Sequence, residues 1–261
     1  MKRLVFIFTF LSLFLKQVYA EQITIYAASD LVYAFSEIKK TYQKIYPQDN
    51  LRIIFGSSGK GYHQALNGAP FDIIFSANME YVNRLKQKGI TVSDVIPYAY
   101  GRIGIWTRKD SRIDLLDGIK VVLSSKVKKI AIANWEHAPY GEAAKECLQH
   151  SKLFDKVKNK FVVGENISQT AQFTEIGAAD IGFIAYSLAK SEKLKNEGNF
   201  YLLPENCHKP IKQGMAILKH AQKDPERYKT AVKFFKFIQT EKARKIMNKY
   251  GFILTGEIKN E

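Results

Sequence analysis

The chain has 261 residues, of which 46% are hydrophobic and 13% aromatic. That is enough apolar material for a packed core, so a disordered chain and a small disulfide scaffold are both excluded, and the length fits one large domain or two modest ones. The formal net charge is +15, from 40 Lys+Arg against 25 Asp+Glu. A balance this basic favours anionic partners: nucleic acid, a membrane surface or a small anion.

The first twenty residues read as an address. Met1-Lys2-Arg3 gives a positive start, Leu4 to Leu15 is almost wholly apolar, and Val18-Tyr19-Ala20 places small residues where a signal peptidase reads them. A secretory signal peptide cleaved after Ala20 is expected, and a periplasmic location with it. The apolar run is too short to span a bilayer comfortably. Export makes nucleic acid a poor partner, and the lysines are scattered between apolar positions, with no basic stripe interleaved with aromatics.

Strands and helices then alternate. Ile23 to Ala27 has strand length, and Leu31, Ala34, Phe35, Ile38 and Tyr42 fall on one helical face before Pro47. Leu51 to Phe55 reads as a strand leading through Gly56-Ser57-Ser58-Gly59 into a helical segment. Asp72 to Phe75 reads as a short buried strand, followed by a helix capped by Ser76 or Asn78. Arg102 to Thr107 and Lys129 to Ala133 are the next strands, with a helix from about Gly141 to Gln149. Phe161 to Val163, Ile181 to Ala185 and Ile211 to Leu218 complete the strand set. Asp224-Pro225-Glu226 is a strong helix start. Thr240-Glu241 restarts the helix, and Gly251 ends it.

This order predicts an α/β protein of two lobes, each a mostly parallel sheet flanked by helices, with a ligand cleft between them. No linker of low complexity separates the blocks. The boundaries expected are 1–20 for the signal peptide, 21–99 for the first part of lobe 1, 100–218 for lobe 2, and 219–261 for C-terminal helices returning to lobe 1. Chain crossings are placed near Tyr98–Gly101 and Leu218–Ala221.

Open parallel sheets bind ligands beyond the carboxyl ends of their strands. Four strand-to-helix turns there suit an anion: Ala28-Ser29-Asp30, Gly56 to Gly59, Pro139-Tyr140-Gly141 and Gly164 to Ser168. Each would present free N–H groups and a positive helix end, with no need for Lys or Arg. Taken singly, each is also an ordinary cap or turn; two in each block are what suggest one anion held from both sides. Gly59-Lys60 is not a P-loop, because Ile54 and Gly61 stand where Gly and Ser or Thr are required. Ser57 and Ser58 lie in no Gly-x-Ser-x-Gly elbow. A secreted hydrolase would need a base beside Ser58, and His63 is the neighbour in sequence. His63, His137, His150 and His220 stand apart, and Cys207-His208 has no partner pair at metal-ligand spacing, so no metal ion and no cofactor is expected. Export permits a disulfide between Cys147 and Cys207, but their spacing does not decide whether they meet.

Several stretches in fixed order resemble the periplasmic molybdate-binding proteins of ABC importers (ModA type). They are Ile23-Thr-Ile-Tyr-Ala-Ala-Ser-Asp-Leu31, Phe55-Gly-Ser-Ser-Gly59, Gly68-Ala-Pro-Phe-Asp-Ile-Ile-Phe-Ser-Ala77, Glu136-His-Ala-Pro-Tyr-Gly141, Gly182-Phe-Ile-Ala-Tyr186 and Tyr250-Gly-Phe252. The resemblance runs from about Ile23 to Phe252. It implies the two-lobed type II binding-protein fold, a molybdate or tungstate ligand, delivery to a membrane ABC permease, a monomer, and binding in place of catalysis. Sulfate or phosphate is the alternative ligand class.

The ligand set implied by the resemblance is the Ser58 hydroxyl, the main-chain amides of Tyr140 and Ile167, and the Tyr186 hydroxyl. In the first turn, where many members of the family have a ligand serine, this chain has Asp30 preceded by Ser29. An ionised carboxylate would repel a dianion. Asp30 is therefore expected to cap the helix with its side chain while its amide, or Ser29, donates to the ligand; an ordinary carboxyl pKa near 4 argues for the ionised form.

Overall fold

The computed structural model describes residues 22–255; the expected signal peptide and its cleavage point lie outside the described residues. Two sheets are present. The larger is built from β1 (Gln22–Ala28), β2 (Asn50–Gly56), β3 (Ile73–Ser76), β4 (Ile96–Gly101), β10 (Ile211–Ile217) and β11 (Ile253–Leu254), in the order β11-β4-β10-β3-β1-β2. The smaller is built from β5 (Ile103–Arg108), β6 (Ile130–Ala133), β7 (Phe161–Gly164), β8 (Ile181–Ala185) and β9 (Gly198–Leu202), in the order β7-β6-β8-β5-β9.

Helices α1 (Val32–Ile45), α2 (Ser58–Leu66), α3 (Met79–Gln87), α9 (Pro225–Ile238) and α10 (Glu241–Lys249) belong with the larger sheet. Those following strands of the smaller one are α4 (Pro139–His150), α5 (Phe154–Val157), α6 (Ile167–Glu175), α7 (Tyr186–Ala189) and α8 (Glu192–Glu197). The apolar stripe of α1 is buried as its spacing requires, with Ala34, Phe35, Ile38 and Tyr42 inward. Phe35, Tyr42 and Phe75 pack edge-on against Phe234 of α9. The start of α9 follows its sequence signal: Pro225 is the first helical residue and the Asp224 side chain accepts from the Arg227 amide.

The two-lobed α/β plan is the expected one, but the sheets are more mixed than expected. Parallel pairing is confined to β2-β1-β3 and β7-β6-β8. The strands that enter from the opposite lobe pair antiparallel: β10 with β3 and β4, and β5 with β8 and β9. A strand fed by a direct passage needs no helical crossover, so it is free to run antiparallel. The first passage is Arg102, between β4 and β5. The second lies between Leu202 and Ile211, not at Leu218–Ala221, because β10 is already a central strand of the larger sheet. An apolar run with a turn after it shows that a strand ends there; it does not say which sheet the strand joins.

Cys147 of α4 is disulfide-bonded to Cys207 in that second passage. Lys209 in the same segment donates its amide to Glu146, 2.8 Å away. The passage is thus tied to the smaller lobe until just before β10.

Candidate functional site

The four turns singled out in the sequence do meet across the lobes. β1 runs into a 3-10 turn at Ser29–Leu31, and β2 into α2. On the other side, α4 follows β6 by a short loop and α6 follows β7. The Ser29 hydroxyl accepts from the Ser168 amide at 3.3 Å. The Gly59 amide donates to the His137 carbonyl at 2.9 Å, and Ser57 Oγ lies 2.9 Å from His137 Nδ1. Tyr140 donates its hydroxyl to Asp30 Oδ2 at 2.8 Å. Ser29, Ser57, Ser58, Tyr140 and Ile167 are all buried.

Most of the helix starts at this junction carry no side-chain cap: the 3-10 turn after Ala28, α2 after Ser57 and α4 after Ala138 have none. Asn166 caps α6, but onto the Ser168 and Gln169 amides, outside which the Ile167 amide is left. Elsewhere α3, α8, α9 and α10 are capped by Asn78, Ser191, Asp224 and Thr240, whereas α1, α5 and α7 are not. The first N–H groups of a helix have no partner within it. Where no side chain takes them, they and the helix dipole are available to an anion. Ser58 adds a hydroxyl whose oxygen accepts from the Ala77 amide at 2.8 Å, which leaves its own proton free to donate.

Behind this junction lies a second polar cluster, at the first chain passage. Asp30 Oδ2 accepts from Tyr140 Oη and from Gln213 Nε2, each at 2.8 Å. Gln213 Nε2 also reaches Tyr140 Oη at 3.0 Å, and Tyr98 donates to Gln213 Oε1 at 2.6 Å. Gly101 makes room for it: a Cβ there would overlap Tyr140 Oη and stand 2.7 Å from Gln213 Nε2. Asp30 Oδ1 is buried without a hydrogen-bond partner. Burial pushes the Asp30 carboxyl up to about 6, against the opposing pull of the Gln213 and Tyr140 hydrogen bonds. Burial, and next the Asp30 charge, raise the Tyr140 hydroxyl well above its ordinary value, and the same holds for Tyr98.

The expectation for Asp30 changes. Asp30 does not cap its helix: it stands inside the 3-10 turn, and its carboxylate turns inward to the two donors at the passage. Its ordinary pKa is not kept either, so the neutral form is accessible near pH 6. Tyr186 follows directly on β8 at the first passage. Its amide donates to the Arg102 carbonyl at 2.8 Å, and its ring stacks on Phe200 at 5.3 Å with Lys190 over it. Gly251 closes the other side. Phe200 offers that ring an apolar face, so it packs there, while the next residue, Ser187, donates to the Asp30 carbonyl at 2.8 Å.

Sequence reasoning assigned no role across the lobes to Ser57, His137, Tyr98, Ser187 or Gln213. Gln213 carried a signal: a polar side chain within the apolar run from Ile211 to Leu218 has to find buried partners. His137 stood inside a stretch already singled out, but nothing in the sequence joined it to Ser57. His63, the base that a hydrolase would need, contacts the Tyr62 ring, whereas Ser58 is bonded to Ala77. An interlobe groove of about 240 Å³ is bordered by Asn78, Glu142, Glu146, Lys209 and Lys212. It contains none of the expected ligand residues, and its two carboxylates are matched by two lysines, one of them paired with Glu146. Among the described residues no group of three His, Cys, Asp or Glu side chains could hold a metal ion.

Comparison with known proteins places this geometry among binding proteins. The family described as bacterial extracellular solute-binding protein matches residues 23–253. The molybdate-binding protein ModA of Rhodobacter capsulatus is 34% identical over 201 residues, which cover 76% of this chain and 75% of that protein. The corresponding ModA of Azotobacter vinelandii is 31% identical over 199 residues, 76% of this chain and 77% of the relative. A solved structure of the Azotobacter vinelandii periplasmic molybdate-binding protein superimposes with a TM-score of 0.81 at 29% identity, covering 89% of this chain and 99% of that one.

Proposed function

The chain belongs to the bacterial extracellular solute-binding proteins, and from that premise we propose that it captures molybdate or tungstate between its lobes and delivers the anion to a membrane ABC permease. The names of the relatives support the ligand class. The observation that carries the reading is the convergence of weakly capped helix starts and serine hydroxyls from both lobes at one buried junction. We assign the grip to the Ser29 and Ser58 hydroxyls and to the amides of Tyr140 and Ile167. In this assignment Tyr186 is a packing residue of the lobe contact.

Neutral donors suit a doubly charged oxyanion, because each hydrogen bond to a charged acceptor is strong once water is excluded. A site of donors alone also disfavours a protonated phosphate, whose O–H needs an acceptor. No step of bond making or breaking is called for: the work done is binding, followed by closure that the transporter reads as a shift in population. The protein acts as an exported monomer, with its leader removed after Ala20.

Thermal unfolding with each oxyanion tests the reading. A ligand that binds only the folded chain, supplied at 100 times its Kd, adds about 2.7 kcal/mol. Molybdate and tungstate should raise Tm, with sulfate and phosphate at equal concentration giving little. No shift with the first two would reject the proposal, and a shift with sulfate alone would move the protein to the alternative class.

A further inference from the structure

At the mouth of the cleft the larger lobe lays a short strap, Ser57 to Lys60, across the smaller lobe. Three contacts join it to His137 and Glu165, and a fourth links those two residues to each other. Ser57 Oγ is 2.9 Å from His137 Nδ1, and the Gly59 amide donates to the His137 carbonyl at 2.9 Å. Lys60 Nζ lies 3.4 Å from one oxygen of Glu165, and His137 Nε2 lies 3.7 Å from the other. Both sides of the contact are held from behind. Tyr26 donates to the Ser57 carbonyl at 2.9 Å, and the Glu165 amide donates to Gln169 Oε1 at 2.7 Å.

Two features set this strap apart from an accidental touch. Ser57 occupies the N-cap position of α2, where a serine normally bonds its own helix. Here it makes no such bond, and its hydroxyl is engaged across the cleft instead. Gly59 is the second. A Cβ built on it would stand 2.7 Å from His137 Cβ, 2.9 Å from the His137 carbonyl oxygen and 3.0 Å from its Cα. Most of those neighbours are backbone or the first side-chain atom, so they cannot swing aside; glycine is what lets the lobes come this close. The side chains of His137, Glu165 and Lys60 keep 25%, 43% and 52% of their surface in solvent. These contacts can therefore be made and broken without stranding a buried charge, unlike the bonds around Asp30.

We propose that the strap of Ser57 to Lys60, seated on His137 and Glu165, is the latch that holds the cleft shut, so that Gly59 and His137 are positioning residues that set how long a bound oxyanion is retained. Neither residue needs to touch the anion. Breaking the latch shifts the protein toward the open form, from which the guest leaves, while the encounter of the anion with the open form is unaffected. The identity of the guest rests on the proposed molybdate reading; the latch itself does not.

The test has two arms. In the first, small-angle scattering of the ligand-free full chain compares the wild type with Gly59→Ala and His137→Ala. Both variants should have a larger radius of gyration, and identical scattering curves for all three would overturn the latch. In the second, stopped-flow chase of bound molybdate measures release and association separately. Release should quicken about tenfold in each variant, the scale of one lost hydrogen bond, with association within about twofold of the wild type. His137→Asn, which can keep a donor near Ser57, should recover part of the retention. Slower association with unchanged release would contradict the proposal. If the wild type binds neither molybdate nor tungstate, the ligand assignment fails and the scattering arm alone decides the latch. Should Gly59→Ala not fold, His137→Ala carries both arms.

Discussion

The two ends of the cleft are built from opposite materials. At the passage end, Asp30, Tyr140, Gln213 and Tyr98 are buried and bonded to one another, and the disulfide Cys147–Cys207 fastens the second passage to α4. At the mouth, the buried Ser57 and Gly59 and the exposed Lys60 meet His137 and Glu165, whose side chains keep part of their surface in solvent. Breaking the first set would leave polar groups stranded in a dry interior, at about 1–3 kcal/mol each. Breaking the second strands no buried charge and costs less, on the scale of about one hydrogen bond together with a weak exposed ion pair. A molecule assembled this way pivots at its buried end and opens at its wet one. The anion turns contribute residues to both: Asp30 and Tyr140 to the first, Ser57, Gly59 and Glu165 to the second.

That contrast can be broken from the larger effect to the smaller. The disulfide closes a loop with a sequence separation of 60. Replacing both cysteines by alanine should cost about 4 kcal/mol in urea unfolding, on the chain-entropy account. A loss below about 1 kcal/mol would mean that the passage is held mainly by its other contacts.

Asp30 gives the contrast a pH signature. Its carboxyl is raised from the ordinary 3.8 to about 6 in the folded protein. The folded state therefore binds the proton more tightly than the unfolded one. The contribution of this group to stability is fully present below pH 4, falls as pH rises from about 4 to about 6, and is flat above. Two pK units correspond to about 3 kcal/mol. Asp30→Asn should remove that slope, so that the stability difference between variant and wild type changes across this window and is constant from pH 7 to 8. A constant difference from pH 4 to 8 would show that Asp30 titrates normally.

In the anion turns, Ser58→Ala should weaken molybdate binding by about 1–2 kcal/mol, as measured by titration calorimetry. An unchanged Kd would take Ser58 out of the grip. Smallest is the mouth ion pair. Lys60→Met should change unfolding free energy by no more than about 1 kcal/mol, and the change should shrink with added salt.

Much of the plan was legible from residue patterns. The apolar stripe of α1, the start of α9 at Asp224-Pro225 and the four turn compositions all depend on neighbours in the chain, and the structure has them. What pattern could not supply was partnership at long range. Gln213 is 183 positions from Asp30, and His137 is 80 from Ser57. The sheet that β10 joins, the inward turn of Asp30 and the packing of Tyr186 on Phe200 follow from such partners, and no local periodicity encodes them. The pairing of Cys147 with Cys207 belongs to the same class.

The position of the bound anion decides which residues hold it. A crystal of the full chain grown with tungstate and measured for anomalous scattering locates the tungsten directly. We expect a single strong peak between the lobes, within hydrogen-bonding reach, through its oxygens, of the Ser29 and Ser58 hydroxyls and the amides of Tyr140 and Ile167. A peak held instead by lysine side chains, such as Lys209 and Lys212 in the neighbouring groove, would contradict it.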